Sequence, residues 1–202
     1  MDYGINPLFE PNRHPPKRDV AFERVVLTSG PGCGKTSVTI GLEYLGYQVL
    51  REAAADYIHF RKAQGSSCPW KEDHFQDEIS LASIKRENQQ AAIGAWHFQD
   101  RSLIDCLGFY EFTGKAPAPL VAQEFAQTNL RQRYFPTVFL LEDVGERPLE
   151  GLRIESVEES RQISAIIQCK YQELGYTVVQ VAKAPLSDRI QWILDYLEQH
   201  TP

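Results

Sequence analysis

Arg24-Val25-Val26-Leu27-Thr28 runs into Ser29-Gly30-Pro31-Gly32-Cys33-Gly34-Lys35-Thr36, and Ser37-Val38-Thr39-Ile40-Gly41-Leu42-Glu43-Tyr44-Leu45 follows. The first run is β-branched and apolar and predicts a strand, and the last can wind as a helix. Between them the glycines let backbone N–H groups turn inward toward an anion, and the helix N-terminus adds partial positive charge. Such a strand, turn and helix make a phosphate cradle. Within it Lys35 can reach β- and γ-phosphates, and the Thr36 hydroxyl can ligate Mg²⁺. Gly30, Pro31, Gly32, Cys33, Gly34, Lys35, Thr36 and Ser37 are the expected contacts to the nucleotide phosphates. Ser29 stands where this motif ordinarily begins with glycine. Cys33 reads as a small filler within the loop.

Outward from the cradle, apolar strands alternate with helical stretches. Strands are expected at Tyr47 to Leu50, Ile93 to Phe98, Thr137 to Leu141 and Tyr176 to Val181. Helices are expected from Ala53 to Lys62, from Pro69 through Gln90, from Leu103 to Phe112 and from Pro119 to Arg131. Ser156-x-x-Glu159 has the capping-box pattern ahead of a helix that Gly175 ends, and Ile190, Ile193, Leu194 and Leu197 mark the last helix. Strands separated by helices imply an α/β fold, a five-stranded parallel sheet covered on both faces. Residues 23–202 then form one domain, and residues 1–22, with Pro7, Pro11, Pro15 and Pro16, form a proline-rich extension.

The 202 residues suffice for one packed domain, and no apolar run is long enough to span a bilayer. A net charge of −6 argues against a broad nucleic-acid-binding face. Cys33, Cys68, Cys106 and Cys169 form no CxxC pair and read as reduced thiols of a cytoplasmic protein.

In parallel sheets ligands bind beyond the carboxyl ends of the strands. The polar residues there are Arg51 and Glu52, Asp100, Arg101 and Ser102, and Glu142 and Asp143. Phosphoryl transfer needs a magnesium ion, cations near the γ-phosphate and a group that orients the nucleophile. Asp100 is the leading metal acid, together with Thr36, and Glu142-Asp143 is the competing pair. Glu52, Asp100 and Arg101 are candidates for the chemistry at the acceptor. Arg147, Arg153 and Arg161 follow the fourth strand and suit two-point binding of phosphate oxygens; Arg153 leads among them. Trp70, His74, Phe75 and Gln76 open the third helix, with Phe75 expected in the core, His74 on the surface and Gln76 left open.

Arg24–Thr36, Gly46-Tyr47, Glu52-Ala53-Ala54, Pro69-Trp70, Phe75-Gln76 and Asp100-Arg101 together resemble the small AAA-domain P-loop family. That family includes the ribosylnicotinamide kinase domain and a fly trafficking protein that binds guanine nucleotide and phosphoinositide. Glu150-Gly151-Leu152-Arg153 and Tyr171-Gln172-Glu173-Leu174-Gly175-Tyr176 fit its lid and closing helix, so the likeness extends over roughly residues 24–198. Asp100-Arg101-Ser102 also resembles the acid-Arg-Ser signature of deoxynucleoside kinases, although the AAA-domain family often has glycine at the Ser102 position. The resemblance implies a three-layer P-loop NTPase fold of the kinase type. In the deoxynucleoside kinases the acid after the second strand acts as base, which falls on Glu52 here. Their lid bears arginines, and the start of their third helix faces the phosphoryl acceptor.

The expected activity is Mg²⁺-dependent transfer of a phosphoryl group from ATP (or GTP) to a small, nucleoside-like acceptor. The competing expectation is a nucleotide switch or adaptor with NTPase activity that acts on a protein or membrane partner.

Overall fold

The computed structural model describes residues 23–90, 96–145 and 155–200. Strands β1 (Glu23–Thr28), β2 (Gln48–Leu50), β3 (Trp96–Asp100), β4 (Thr137–Leu141) and β5 (Thr177–Val181) form one sheet in the order β2-β3-β1-β4-β5. Every pairing is parallel. Helices α1 (Lys35–Tyr44), α2 (Ala53–Ala63), α3 (Phe75–Gln89), α4 (Leu103–Thr113), α5 (Pro119–Gln127), α6 (Val157–Glu173) and α7 (Leu186–His200) supply the connections.

Alternation along the strands explains the three layers. Val25 and Leu27 point into one core with Val38 and Leu42 of α1 and Ile190, Ile193 and Leu197 of α7. Val26 points the other way, toward Ile104 of α4 and Ile163 and Ile167 of α6. Both faces are covered, so β4 is buried at all five positions and carries an uninterrupted apolar run after Thr137. β1 lies between β3 and β4: the chain leaves it toward β2 on one side, and the crossover from β3 to β4 then passes to the other. The crevice at that reversal, beyond the carboxyl ends, is where such sheets bind ligands.

Three boundaries differ from the sequence expectation. Pro69 does not open a long helix. It starts a single 3₁₀ turn, Pro69–Lys71, and α3 begins afresh at Phe75. Glu72 breaks the run with extended backbone, and its carboxylate is held by Arg61 and Ser66. β3 runs on to Asp100, two residues past the expected end at Phe98; the expected start at Ile93 lies outside the described residues. α5 stops at Gln127, and a separate 3₁₀ turn covers Leu130–Gln132. The proline-rich extension, residues 1–22, also lies outside the described residues.

Candidate active site

The cradle forms as its spacing predicts. Gly34 is the N-cap of α1 at φ 82°, a left-handed conformation that glycine adopts without a Cβ penalty. Gly30 meets a different demand, because a Cβ there would fall 2.0 Å from the Ser160 carbonyl oxygen. Glycine alone lets α6 approach the loop so closely. Lys35 is buried and folds back over the loop. Its Nζ donates to the Gly30 carbonyl at 3.0 Å and the Ser29 hydroxyl at 3.1 Å. Burial, with Arg101 nearby, lowers the pKa of this lysine. Cys33 is buried, as a filler would be.

Thr36 Oγ1 donates to Asp100 Oδ2 at 2.9 Å, joining the start of α1 to the end of β3. The other carboxylate oxygen, Asp100 Oδ1, is buried and has no hydrogen-bond partner. Burial first, and then the nearby charge of Glu52, push the Asp100 pKa up to about 6. A hard divalent cation fits this place, since it prefers oxygen donors and would favour the ionised acid. Among the described residues no group of three or more His, Cys, Asp or Glu makes a self-sufficient metal centre. Thr36 and Asp100 would therefore hold magnesium together with phosphate oxygens and water.

Glu142 and Asp143, the rival acids, are engaged elsewhere. Glu142 Oε2 accepts from the Lys183 backbone N–H at 3.2 Å, and Asp143 Oδ1 accepts from that of Gly145 at 2.9 Å.

Arg101 is the hub of the groups beyond the end of β3. Its backbone sits at φ 73°, a conformation that costs a non-glycine residue about 1–2 kcal/mol. Four contacts hold it there. Nε donates to Glu52 Oε1 at 2.8 Å, and Nη1 donates to the Ser29 carbonyl at 2.9 Å and to Asp105 Oδ1 at 3.3 Å. The guanidinium also lies 5.0 Å from the centre of the Phe109 ring. Burial alone would lower the pKa of Arg101, but Glu52, Asp105 and Asp100 more than offset it and raise it.

Asp105 escaped the sequence reading. It is buried and accepts from Thr28 and Tyr171 as well as from Arg101. Its Oδ2 also accepts from the Ser102 N–H, completing a capping box on α4. The signal was present as Ser102-x-x-Asp105, the same pattern as Ser156-x-x-Glu159.

A cavity of about 240 Å³ opens between α2, α3 and α4 beside these groups. Glu52, Asp100, Arg101 and Asp105 line the end nearest the phosphate loop, and Trp70, Phe75, Phe109 and Phe112 supply aromatic walls. Phe75 corrects the expectation of a core residue. It is half-buried on the cavity wall, 5.9 Å from the Tyr57 ring. Gln76 lines the cavity too, and His74 is on the surface as expected. Arg161 is exposed and borders a second hollow beside Cys33. Arg147 and Arg153 lie outside the described residues.

A parallel α/β sheet with a glycine-rich phosphate loop at its reversal, and a small-molecule cavity beside it, defines a nucleotide-binding P-loop protein of the kinase-like type. The chain belongs to an AAA-domain family, AAA_28, which matches residues 24–189. No curated protein matches it. Among solved structures, deoxyadenosine kinase from M. mycoides with the products dCMP and dCDP bound is 14% identical and superposes with a TM-score of 0.59. That match covers 87% of this chain and 99% of the kinase. NadR protein in complex with NR is 15% identical with a TM-score of 0.66, over 89% of this chain and 52% of NadR. These likenesses establish the fold. Among the described residues no helix is long and apolar enough to cross a membrane.

Proposed function

We propose that the protein transfers the γ-phosphoryl group of Mg-ATP to a hydroxyl of a small, uncharged, ring-bearing acceptor of the nucleoside kind. The observation that carries this reading is the cavity between Glu52, Phe75 and Asp100. A nucleotide switch has no need of an aromatic-walled pocket that ends on half-buried Glu52 and buried Asp100 beside the phosphate loop. The two similar structures support it, since one is a deoxyadenosine kinase and the other is in complex with NR.

The charges around the cavity favour an acceptor without a carboxylate or phosphate. Arg101 is occupied by Glu52 and Asp105, Arg86 by Asp56, and Arg51 by Glu43. Eight acidic side chains line the cavity, Glu52, Glu87, Asp100 and Asp105 among them, against four cations, Arg51, Arg86, Arg101 and Lys115, so an anionic acceptor would meet an excess of acid. The aromatic side chains suit a flat ring by stacking.

In this reading Lys35 leaves its loop carbonyls for the β- and γ-phosphates, and the glycine amides take the remaining phosphate oxygens. Thr36 and Asp100 would hold magnesium, which when bound would supply neutralising charge to the triphosphate. Glu52, steered by Arg101 Nε, accepts the proton of the acceptor hydroxyl. Arg101 also holds the end of β3 against the loop through Ser29. Arg153 is assigned to the donor side as a phosphate-clamping cation. We place the activity in the cytoplasm, where reduced thiols and ATP coexist.

The test is a screen of nucleosides, ribosylated vitamins, sugars and hydroxy acids with labelled Mg-ATP and Mg-GTP. The expected result is label on a neutral nucleoside-like compound, with loss of labelling in Glu52→Gln and Arg153→Ala while nucleotide still binds. If no acceptor is labelled, and both variants hydrolyse nucleotide as the wild type does, the switch reading replaces this one.

A further inference from the structure

The phosphate loop is held from behind by two side chains distant in sequence. Ser160 Oγ, on α6, donates to the Pro31 carbonyl at 2.6 Å. Arg189 Nη1, on α7, donates to the Cys33 carbonyl at 3.0 Å, and its Nη2 donates to the Glu142 carbonyl at 3.2 Å. Arg189 is 3% exposed, and its Nε has no hydrogen-bond partner. The guanidinium is held by backbone carbonyls rather than by a carboxylate. Burying such a charge with no carboxylate in hydrogen-bond contact is expensive, and burial lowers the pKa of Arg189, although Cys33 and Glu142 nearby act the other way. Packing does not call for a cation here, because the neighbouring core of α1 and α7 is apolar. The guanidinium lies against the anion cradle, since a Cβ built on Gly34 would be 3.2 Å from Arg189 Nη1.

Peptide geometry gives these two bonds a purpose. The peptides are trans, so the C=O of one residue and the N–H of the next point in opposite directions. A Cys33 carbonyl fixed on α7 turns the Gly34 N–H away from α7. A Pro31 carbonyl fixed on α6 does the same for the Gly32 N–H. Both glycines have positive φ, 91° at Gly32 and 82° at Gly34, so neither amide direction is set by ordinary backbone preference. We propose that Ser160 and Arg189 are positioning residues that aim the Gly32 and Gly34 amides at a bound polyphosphate, with Arg189 adding fixed positive charge behind the loop. The proposal rests on the nucleotide-binding reading and is independent of the acceptor.

The experiment uses the full chain with tripolyphosphate, which probes the loop without a base, and with Mg-ATP. Binding is followed by calorimetry and by the amide resonances of Gly32 and Gly34. Arg189→Met is expected to weaken both ligands about ten- to a hundredfold and to erase the response of Gly34 while leaving that of Gly32. Ser160→Ala is expected to weaken them about three- to tenfold and to erase the response of Gly32 alone. Arg189→Lys, which keeps the charge but loses the two-point grip, should fall between wild type and Arg189→Met. It carries the test if the methionine variant does not fold. Unchanged affinity in the variants overturns the proposal. So does simultaneous loss of both glycine responses with a fall in melting temperature, the signature of a mere strut. A wild type that does not respond to tripolyphosphate overturns the nucleotide reading and this proposal together. A wild type that responds but labels no acceptor overturns the kinase reading alone.

Discussion

The ends of β3 and β4 hold similar places in the sheet, and their acids meet different surroundings. Each is a fully buried five-residue strand beside β1, with acids at its carboxyl end. At β3 the acid Asp100 is 3% exposed, contacts Thr36 and keeps one carboxylate oxygen unpartnered. At β4 the acids are outside the core and satisfy backbone N–H groups of nearby loops. An acid after a strand is thus not enough to make a metal site. Desolvation beside the phosphate loop leaves Asp100 short of a partner, and that shortage gives a cation something to supply.

The comparison breaks first at Glu52, which belongs to the β3 side through Arg101. Glu52→Gln should lower phosphoryl transfer about 10²–10⁴-fold with nucleotide affinity little changed, measured by steady-state kinetics and calorimetry. Asp143→Asn, the matched change on the β4 side, should leave turnover within about twofold. A larger loss at Asp143 than at Glu52 would move the chemistry to the other side of the loop.

Asp100→Asn should reduce magnesium-dependent turnover by at least about 10- to 100-fold, the scale already seen for losing a group that merely orients a metal ligand. The same variant sharpens the contrast through pH. The carboxyl is raised in the folded, magnesium-free protein, so the fold binds its proton more tightly than the unfolded chain does. Stability from this group is complete below about pH 4 and falls as pH rises toward 6, then levels off. A rise from 3.8 to about 6 corresponds to about 3 kcal/mol. Denaturant unfolding without magnesium should show that decline in wild type and lack it in Asp100→Asn, which should be the more stable protein at pH 8. Asp143→Asn should keep the wild-type slope.

The smallest effect belongs to the cavity wall. Phe75→Ala should raise the acceptor KM about fivefold, near 1 kcal/mol of stacking, with kcat changed less. A fall in kcat alone would place Phe75 outside the acceptor contacts.

The phosphate loop and the α/β class were legible because both are local. A glycine spacing, an apolar run and a helical period can each be read within about fifteen residues. The preference for Asp100 over Asp143 has its physical basis beyond any such window. It turns on which strand end is desolvated against Thr36, 64 residues away. Arg189 and Ser160 were missed for a stronger form of the same reason. Their bonds to the loop span 156 and 129 residues, and nothing beside them in sequence marks a polar task. The break at Glu72 was hidden because Pro69 is a fair helix opener. What overrides it is a pairing with Arg61 of the preceding helix.

Lys35 carries one more consequence. Its ammonium group rests on the Gly30 carbonyl and the Ser29 hydroxyl, so the protein's own loop can satisfy the charge. Nucleotide arrival then becomes an exchange of partners inside a finished receptacle rather than an act of assembly. Such a receptacle loses little chain entropy on filling. Association with tripolyphosphate should therefore be fast and single-phased, with no lag for folding a loop.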